Sequence, residues 1–357
     1  MDKRDNLSVV IHKKEDLRVE QTELPTEPGP YEVQLASNTV GICGSDVHFW
    51  KDGCIDKWVI NEPIVTGHES SATVIKVGPN VKNLKVGDRV SVEPGVGCMS
   101  CQVCKDGFYN LCPDVLFHAV PPTGGSLRRY YNHSSAFCHK LPDNMSYAEG
   151  ALMEPLAVAV YACKRAGITE GSGQKVMVTG AGPVGLLTAM AAKALGAQDV
   201  CILDINENRL KFAQQMGIAK TLLINMKLDT EALATEVVDL LGGSPTITLE
   251  CSGAESSLNL AIYVTQDGGN VVMVGLNHRK VTVFLSSAAC REVNLLGIKR
   301  YRHSFPLAIY LVSSGKLDVK PLITHTYRIE EAVQAFETAS SQTSGAIKVQ
   351  IECFERP

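Results

Sequence analysis

The chain has 357 residues, of which 45% are hydrophobic and 20% charged, and a formal net charge of -4 at pH 7. This length accommodates two domains with a sizeable core, and the composition is that of an average soluble globular protein. The small negative charge gives no reason to expect a nucleic-acid partner. No apolar run reaches the length of a membrane span, so no membrane partner is expected either.

The start of the chain and its cysteines indicate a reducing compartment. Residues 1–6 are polar and lead directly into a strand-like run at residues 7–11, so no signal peptide is expected. Twelve cysteines without a secretion signal favour reduced thiols or metal ligands over a disulfide framework. The expected location is therefore the cytoplasm.

Residues from about 7 to 155 are predicted to form a β-rich domain. Runs rich in β-branched residues recur at 32–35, 72–77 and 88–92, with turn residues such as Gly78-Pro79-Asn80 between them. This pattern predicts a compact, barrel-like domain of short strands.

One group of residues in this part has the chemistry of a metal site. His68 and Glu69 stand side by side after Gly67, and Cys43 lies upstream in the run Gly-Ile-Cys-Gly-Ser. Cysteine, histidine and carboxylate are zinc ligands, and three protein ligands plus a water make a catalytic zinc site. We predict that Cys43, His68 and Glu69 hold such a zinc. The alternative is an ordinary polar pair beside an inert cysteine.

Four closely spaced cysteines predict a second metal site. They are separated by two, two and seven residues, namely Cys98, Cys101, Cys104 and Cys112. This spacing is typical of a structural tetrathiolate zinc site. An iron–sulfur cluster is the alternative, but the last spacing differs from that of ferredoxins and no second cysteine set is present.

Beyond residue 155 the pattern changes to alternating helices and strands. An alanine-rich helix is predicted over 147–166, a buried parallel strand over 174–179 and an apolar helix over 186–195. A second strand over 199–203 ends at Asp204. Strand, glycine-rich loop, helix, strand and an acidic residue about 20 positions on together form a dinucleotide-binding fingerprint.

Each glycine of this loop has a physical role. Gly180 permits the tight turn, Gly182 lets the backbone approach the pyrophosphate, and Gly185 allows close packing of helix on strand. The free amides at the start of the helix attract the phosphate charge. Asp204 would accept hydrogen bonds from the ribose hydroxyls and repel a 2′-phosphate, which favours NAD over NADP. Arg209 either assists at the adenosine end or is a solvated helix residue.

The alternation continues towards the C-terminus. Helices are predicted over 233–241 and 256–264, and strands over 246–250 and 270–275. The last of these strands ends at Val274-Gly275-Leu276, in the position where open α/β sheets bind ligands. Two further helices (304–313 and 330–339) precede a strand at 346–351, and the pattern does not say which sheet this strand joins.

In this order, Gly67-His68-Glu69, the four cysteines and the loop at 180–185 resemble the zinc-dependent medium-chain dehydrogenase/reductase family over essentially the whole chain. Three more stretches resemble its polyol branch, the sorbitol dehydrogenases: Cys-Gly-Ser-Asp-Val-His at 43–48, Met-Glu-Pro-Leu at 153–156, and Arg300-Tyr301.

The resemblance implies an α/β fold, with a GroES-like β-rich catalytic domain and a Rossmann dinucleotide-binding domain. Residues 1–156 would form the catalytic domain with both zincs, residues 157–290 the NAD-binding domain, and residues 291–357 a segment that completes the catalytic domain. The active site would lie in the cleft between the domains, and the assembly would be a homotetramer.

The resemblance also implies roles for single residues. Glu69 matches a zinc ligand, and Glu154 matches the acidic residue that reaches the catalytic zinc through its bound water. The expected cofactor contacts are Gly180, Gly182, Val184, Gly185, Asp204, Arg209, Val274, Gly275, Leu276, Ile298 and Arg300. The expected substrate contacts are Phe49, Glu154, Arg300 and Tyr301.

Ser45 lies two residues after Cys43, so we expect it to relay the proton of the alcohol, with His48 carrying this proton to solvent. The alternatives are a turn-stabilising serine and a histidine satisfied by a neighbour.

Two departures from the polyol branch bear on the substrate. Phe49 stands where sorbitol dehydrogenases often carry a tyrosine whose hydroxyl meets the substrate. Vertebrate-type sorbitol dehydrogenases have lost the structural-zinc cysteines, whereas all four are present here. The chain is therefore nearer the two-zinc members, which include xylitol and arabinitol dehydrogenases.

The predicted function is reversible, zinc-dependent oxidation of a sugar alcohol such as sorbitol or xylitol to the ketose, with NAD as hydride acceptor. One alternative is another zinc alcohol, threonine or arabinitol dehydrogenase of the same fold. A second is a non-catalytic protein on this scaffold, either an NAD-binding sensor or a lens-type structural protein, because a fold does not prove a function.

Overall fold

The computed structural model describes residues 5–55, 58–275, 280–341 and 343–354. The chain divides into two compact units. The first comprises Met1–Glu154 together with Asp318–Pro357, and the second comprises Pro155–Leu317.

The strands and helices have the following bounds. The strands are β1 (Leu7–Lys13), β2 (Asp16–Gln21), β3 (Glu32–Gly41), β4 (Cys54–Ile55), β5 (Trp58–Val59), β6 (Ile64–Val65), β7 (Glu69–Val77), β8 (Arg89–Val92), β9 (Gly95–Val96), β10 (Leu116–Phe117), β11 (Tyr130–Ser134), β12 (Cys138–Lys140), β13 (Lys175–Thr179), β14 (Asp199–Asp204), β15 (Lys220–Leu223), β16 (Ile247–Glu250), β17 (Asn270–Met273), β18 (Asn294–Gly297), β19 (Ile323–Arg328) and β20 (Lys348–Glu352). The helices are α1 (Gly44–Asp52), α2 (Gln102–Lys105), α3 (Tyr147–Ala151), α4 (Met153–Ala166), α5 (Pro183–Ala194), α6 (Glu207–Gln215), α7 (Thr230–Leu241), α8 (Glu255–Val264), α9 (Leu285–Cys290), α10 (Phe305–Ser313) and α11 (Ala332–Ser340).

The first unit is built on a mainly antiparallel sheet with the strand order β12-β8-β7-β3-β20-β19, in which β11 also pairs with β3. Strands β1, β2 and β6 form a second sheet. The predicted strands at 32–35, 72–77 and 88–92 lie within or overlap β3, β7 and β8. The prediction of a β-rich first part is therefore confirmed.

The C-terminal strand returns to this sheet. β20 pairs antiparallel with β3, so that Gln350 faces Gly41, and parallel with β19. Its residues from Lys348 to Ile351 are all buried, which is typical of an interior strand with both faces covered. The pairing with β3 answers the question that the sequence pattern left open.

Helix α11 seals the core of the first unit. Phe336 is fully buried, and its ring meets the ring of Trp50 edge to face at 5.9 Å between centroids. Both belong to a cluster that includes Val9, Ile11 and Ile351. The helix packs through aromatic burial, which is among the larger contributions that a single side chain makes to stability.

The second unit contains a parallel sheet with the order β15-β14-β13-β16-β17-β18. The chain runs outward from β13 in both directions, so the carboxyl ends of β13 and β16 flank the point where the order reverses. This arrangement confirms the predicted α/β class. Because β18 extends this sheet, residues 291–317 fall in the second unit, whereas the predicted third range began at 291.

Two predicted elements differ from those observed. The helix expected over 147–166 is two helices that are separated at Leu152, because Pro155 has no N–H to continue an α-helical hydrogen-bond ladder. The strand expected over 270–275 ends at Met273, and the N–H groups of Val274 and Gly275 both donate to the carbonyl of Glu250.

None of the helices within the described part of the chain combines the length and the hydropathy that crossing a bilayer requires.

We expect Phe336→Ala to lower the free energy of unfolding of the first unit by about 3–5 kcal/mol, because the deleted ring leaves a cavity against Trp50. Urea unfolding followed by tryptophan fluorescence measures this unit, since both tryptophans, Trp50 and Trp58, lie in it. The matched control is Val333→Ala on the exposed face of α11, for which we expect a loss below about 1 kcal/mol. Equal losses in the two variants would contradict this assignment of the core.

Candidate functional site

The structure brings Cys43, His68 and Glu69 together at the end of β3. One ligand atom from each lies within 4.8 Å of the other two. The register of β3 against β7 places Gly41 opposite Glu69, and Cys43 follows two residues later as the N-cap of α1. His68 and Glu69 are 7% and 1% exposed. The predicted group of three is therefore a compact set of sulfur, nitrogen and oxygen donors, with Cys43 half-buried and the other two buried, and this donor set fits zinc.

Glycines make room for this group. A Cβ atom on Gly41 would lie 2.2 Å from Glu69 Oε2, so any larger residue would displace the carboxylate. Gly67 has a φ of +88°, and a Cβ there would lie 2.7 Å from Leu127 Cβ. The glycine before His68 is therefore required by the backbone conformation and by close packing.

Asp46, for which the sequence predicted no role, fixes the imidazole of His68. Its Oδ1 lies 3.2 Å from His68 Nδ1 and accepts hydrogen bonds from Thr66 Oγ1 and Gly67 N, while Oδ2 accepts one from Cys43 N. Because Asp46 Oδ1 occupies Nδ1 of His68, the Nε2 atom of His68 is the nitrogen that is available to a metal. Burial lowers the pKa of His68, but Asp46 more than offsets this effect, and the pKa lies well above its usual value.

Lys348, which the sequence also did not assign, binds Glu69. Its Nζ donates to both carboxylate oxygens at 2.7 Å and to the carbonyl of Ile42 at 3.2 Å. The two side chains are 3% and 1% exposed. Burial lowers the pKa of Lys348, but the negative charges of Glu69 and Cys43 outweigh it and raise the pKa above its usual value. Lys348 therefore carries its charge inside the site.

Glu154 lies near this group but outside the three atoms that meet within 4.8 Å. It is the second residue of α4 and is 6% exposed. Its charge contributes to the raised pKa of Lys348, which places it within electrostatic reach of the site. Its predicted contact with zinc through a water stays a prediction.

Three predicted residues on α1 have different surroundings. Ser45 is half-buried in the first turn. The His48 side chain is 71% exposed, with Nδ1 3.0 Å from Asp52 Oδ2. Phe49 is 5% exposed and belongs to the hydrophobic cluster around Trp50, where it packs as a core residue. Contact of Phe49 with substrate stays a prediction.

The four cysteines of the predicted second site also converge. Their sulfur atoms all lie within 4.8 Å of one another, and Cys101 Sγ lies 3.9 Å from Cys112 Sγ. This separation is close to the edge of a tetrahedron with metal–sulfur bonds of about 2.3 Å, which is about 3.8 Å long. The thiolates of an iron–sulfur cluster are divided among several irons and lie further apart. The lobe fits one zinc ion.

Backbone amides donate to three of these four sulfur atoms, whereas burial raises the pKa of the fourth thiol, Cys104, to about 12. Cys98 Sγ accepts hydrogen bonds from Cys101 N at 3.4 Å and from the Ser100 hydroxyl at 3.5 Å, and the hydroxyl is the main cause of its pKa falling to about 6. Cys101 Sγ accepts from Cys104 N, and Cys112 Sγ from Cys98 N, both at 3.4 Å. Amide donors of this kind stabilise thiolate charge.

A buried polar chain joins this lobe to the main sheet through Glu93. Its carboxylate accepts hydrogen bonds from Tyr109 Oη at 2.7 Å and His139 Nε2 at 2.8 Å, and its carbonyl accepts one from His133 Nε2 at 2.9 Å. The rings of His133 and His118 are in contact, with their centroids 4.6 Å apart and their planes tilted by 59°. Burial lowers the pKa of His133 to about 4 and that of His118 well below its usual value, so both are neutral at pH 7.

In the second unit, the glycine loop has the expected backbone. Gly180 has a φ of +87°, and a Cβ on Gly185 would lie 1.7 Å from the carbonyl oxygen of Gly180. Gly182 is the N-cap of α5, with Pro183 as the first helical residue. A Cβ on Gly182 would approach only Arg209 Nη1, at 3.9 Å, so the loop is open above this glycine. The helix start is therefore accessible to a phosphate.

Asp204 has a structural role besides the predicted one. Its Oδ2 accepts a hydrogen bond from Ala181 N at 2.6 Å, and its Oδ1 accepts one from Asn206 N at 2.7 Å. Asp204 therefore holds the glycine loop against the end of β14. Arg209 Nη1 lies 3.9 Å from Asp204 Oδ2, and the Arg209 side chain is 43% exposed, so both roles considered for it remain open.

Glu250 is a further residue that the sequence did not identify. This carboxylate, 3% exposed, accepts hydrogen bonds from Thr179 Oγ1 at 3.2 Å, Ser252 N at 2.8 Å and Gly253 N at 3.0 Å. With the two amides that its carbonyl accepts, it ties together the carboxyl ends of β13, β16 and β17. The signal available in the sequence was an acidic residue, Glu250, at the end of the strand predicted over 246–250.

Most of the remaining predicted contacts lie in the segments directly after strands β17 and β18, and one lies in α5. Val274 and Gly275 lie directly beyond β17, and Leu276 lies outside the described residues. Ile298 and Arg300 are half-buried. Tyr301 is 3% exposed, with its ring edge to face against Phe305 at 5.5 Å. Val184 is half-buried in the first turn of α5. The contacts of these residues with cofactor or substrate stay predictions.

Comparison with known proteins identifies relatives of the whole chain. The alcohol dehydrogenase GroES-like domain family matches residues 29–143, and the zinc-binding dehydrogenase family matches residues 183–314. Sorbitol dehydrogenase of Homo sapiens is 47% identical over 351 residues, which cover 98% of this chain and 97% of that protein.

Solved structures agree with this similarity. An Escherichia coli oxidoreductase/dehydrogenase of unknown specificity is 36% identical, with a TM-score of 0.89 over 99% of this chain and 100% of that one. The 2R,3R-butanediol dehydrogenase of Bacillus subtilis is 30% identical, with a TM-score of 0.88 over 98% of this chain and 100% of that one.

The buried histidines predict an acid-sensitive fold. Between its unfolded pKa of about 6.5 and its folded pKa of about 4, His133 binds a proton only in the unfolded chain, so stability falls as the pH falls through this window. From pH 7 to pH 5.5 we expect His133 to account for a loss of about 1 kcal/mol. Urea unfolding at both pH values should show a smaller loss for His133→Gln than for the wild type. Equal losses would contradict a neutral, buried His133.

Proposed function

Because the chain belongs to the zinc-binding dehydrogenases and, within them, to the sorbitol dehydrogenase family, we propose that it oxidises a sugar alcohol such as sorbitol or xylitol to the ketose by reversible hydride transfer to NAD. The observation that carries the proposal is the convergence of Cys43, His68 and Glu69, with one ligand atom from each within 4.8 Å of the other two. Relatives with 47% identity over nearly the whole chain support the same reaction.

Cys43, His68 and Glu69 would hold the catalytic zinc, and Cys98, Cys101, Cys104 and Cys112 the structural one. When bound, the catalytic zinc would act as a Lewis acid that lowers the pKa of the substrate hydroxyl. Asp46 aims the Nε2 atom of His68 at the metal position, because its carboxylate occupies Nδ1.

Glu154 and two residues of α1 would manage the proton. Glu154 is a buried carboxylate close to the ligand group, and we assign it the task of holding the water or the proton of the alcohol. Ser45 would pass this proton on. His48, one turn further along α1 at the surface and paired with Asp52, would release it to solvent.

NAD supplies the hydride acceptor. The start of α5 at Gly182 would bind its pyrophosphate, because the free amides of a helix N-terminus favour negative charge. Asp204, whose oxygens already face the loop, would accept the ribose hydroxyls and repel a 2′-phosphate.

The polyol preference rests on likeness to the sorbitol dehydrogenases and on Arg300-Tyr301. Phe49 packs in the core and cannot make the hydrogen bond that a tyrosine would offer at this position, so we expect it to alter the preference among sugar alcohols. We further propose a homotetramer in the cytoplasm. The polyol-branch resemblance supports the tetramer, and the twelve free cysteines support a reducing compartment.

Asp204→Ala should lower kcat/KM with NAD at least about tenfold and shift the NAD/NADP preference towards NADP, because a carboxylate at the ribose is lost. Steady-state kinetics with both cofactors give the ratio. The matched control is Asp229→Ala, which removes an N-cap of α7 in the same unit. The control should leave the ratio unchanged. An unchanged ratio in Asp204→Ala would contradict the ribose role.

The reaction itself is tested by NAD reduction with sorbitol, xylitol, threonine and ethanol side by side. We expect the highest kcat/KM with one of the two polyols, and a fall in kcat of at least about a hundredfold in Glu154→Gln. The control is Glu170→Gln, on an exposed turn of the second unit. Preference for threonine or ethanol would favour another dehydrogenase of this fold. No turnover with zinc and NAD both bound would favour a binding protein.

A further inference from the structure

The Glu69 carboxylate is held by a cation from the far end of the chain. Lys348 Nζ donates to both of its oxygens at 2.7 Å, and 279 residues separate the two side chains in sequence. On the basis of the proposed zinc site, we infer that Lys348 stands in for the catalytic zinc at Glu69 in the metal-free protein and thereby weakens the affinity of the site for zinc. Lys348 is then a positioning residue for a metal ligand.

Burial is the first support for this inference. The side chains are 3% and 1% exposed, so water contributes little to either charge. A carboxylate in such surroundings is strongly destabilised unless it has a partner of opposite charge. Lys348 provides that partner, because its Nζ donates to both oxygens and so directs the carboxylate into the site.

The position of the ammonium group is the second support. Nζ also donates to the carbonyl of Ile42, the residue directly before Cys43, at 3.2 Å. Lys348 therefore lies beside two of the three metal-ligand positions at once. A zinc ion held by Cys43 and Glu69 would be close to this ammonium, and like charges repel strongly in a buried site.

Because Lys348 and zinc compete for Glu69, removing the charge of Lys348 should raise the affinity for zinc. Zinc must share with Lys348 the carboxylate on which Lys348 holds both oxygens, and it must accept the repulsion of a fixed positive charge. Removing the charge leaves Glu69 unpaired in the metal-free protein, so the metal-free state is destabilised more than the zinc-bound state. Zinc should then bind more tightly. If Lys348 served only to anchor β20, its removal would loosen the site and zinc would bind more weakly.

The test is the zinc dissociation constant of the purified full-length chain, measured by competition with a chromophoric chelator. Cys43→Ala identifies the catalytic zinc as the ion that this variant no longer binds, so that the four-cysteine lobe does not contribute to the comparison. For Lys348→Met we expect a dissociation constant at least about tenfold lower than that of the wild type. The matched control Lys348→Arg keeps the positive charge beside Glu69 and should therefore remain within about threefold of the wild type.

An unchanged or higher dissociation constant in Lys348→Met would overturn the inference. If Lys348→Met does not fold, as judged by circular dichroism, Lys348→Gln replaces it, because a glutamine keeps a hydrogen-bond donor but lacks the charge. The proposed metal site fails separately, if the wild type and Cys43→Ala bind the same amount of zinc. If the wild type binds zinc, and Lys348→Met or Lys348→Gln binds it more weakly than the wild type, the proposed function stands and the role of Lys348 is excluded.

Discussion

The burial of the Glu69 carboxylate is the constraint on which the first unit depends. A side chain that is 1% exposed must find its partners inside the protein, and it finds them on three strands. It begins β7 itself, Gly41 on β3 leaves the space for its oxygens, and Lys348 on β20 neutralises its charge. The pairing of β3 with both β7 and β20 therefore also assembles the proposed metal site.

The second unit applies the same principle to a different ligand. Two buried carboxylates, Asp204 and Glu250, are held mainly by hydrogen bonds from backbone amides and a hydroxyl. Their bonds fix the loops at the carboxyl ends of β13 and β16, where the strand order of the parallel sheet reverses. In both units a buried carboxylate fixes the position of the neighbouring backbone, beside the proposed zinc site in the first unit and the proposed dinucleotide site in the second.

Local motifs were predictable from the sequence, and long-range partners were not. The cysteine spacing and the glycine loop have their meaning within a few residues, so the four thiols and the turn at Gly180 lie as expected. Lys348 is different, because alternation along a strand predicts burial but not which residue lies opposite. Its signal was a lysine directly after Ile347 and before Val349 in a predicted strand, flanked by apolar residues that predict burial. Pro155 interrupted the helix predicted over 147–166, although its effect on the hydrogen-bond ladder was readable in the sequence.

The central claim is that the chain has two chemically different zinc sites, one of which has mixed ligands suited to catalysis. Zinc K-edge X-ray absorption on the purified protein, together with its metal content, tests this claim most directly. We expect two zinc ions per chain that share five cysteine sulfurs, an average of 2.5 sulfur ligands per ion, with nitrogen and oxygen completing the coordination. A single zinc per chain with four sulfur ligands would show that Cys43, His68 and Glu69 hold no zinc, and would contradict the account.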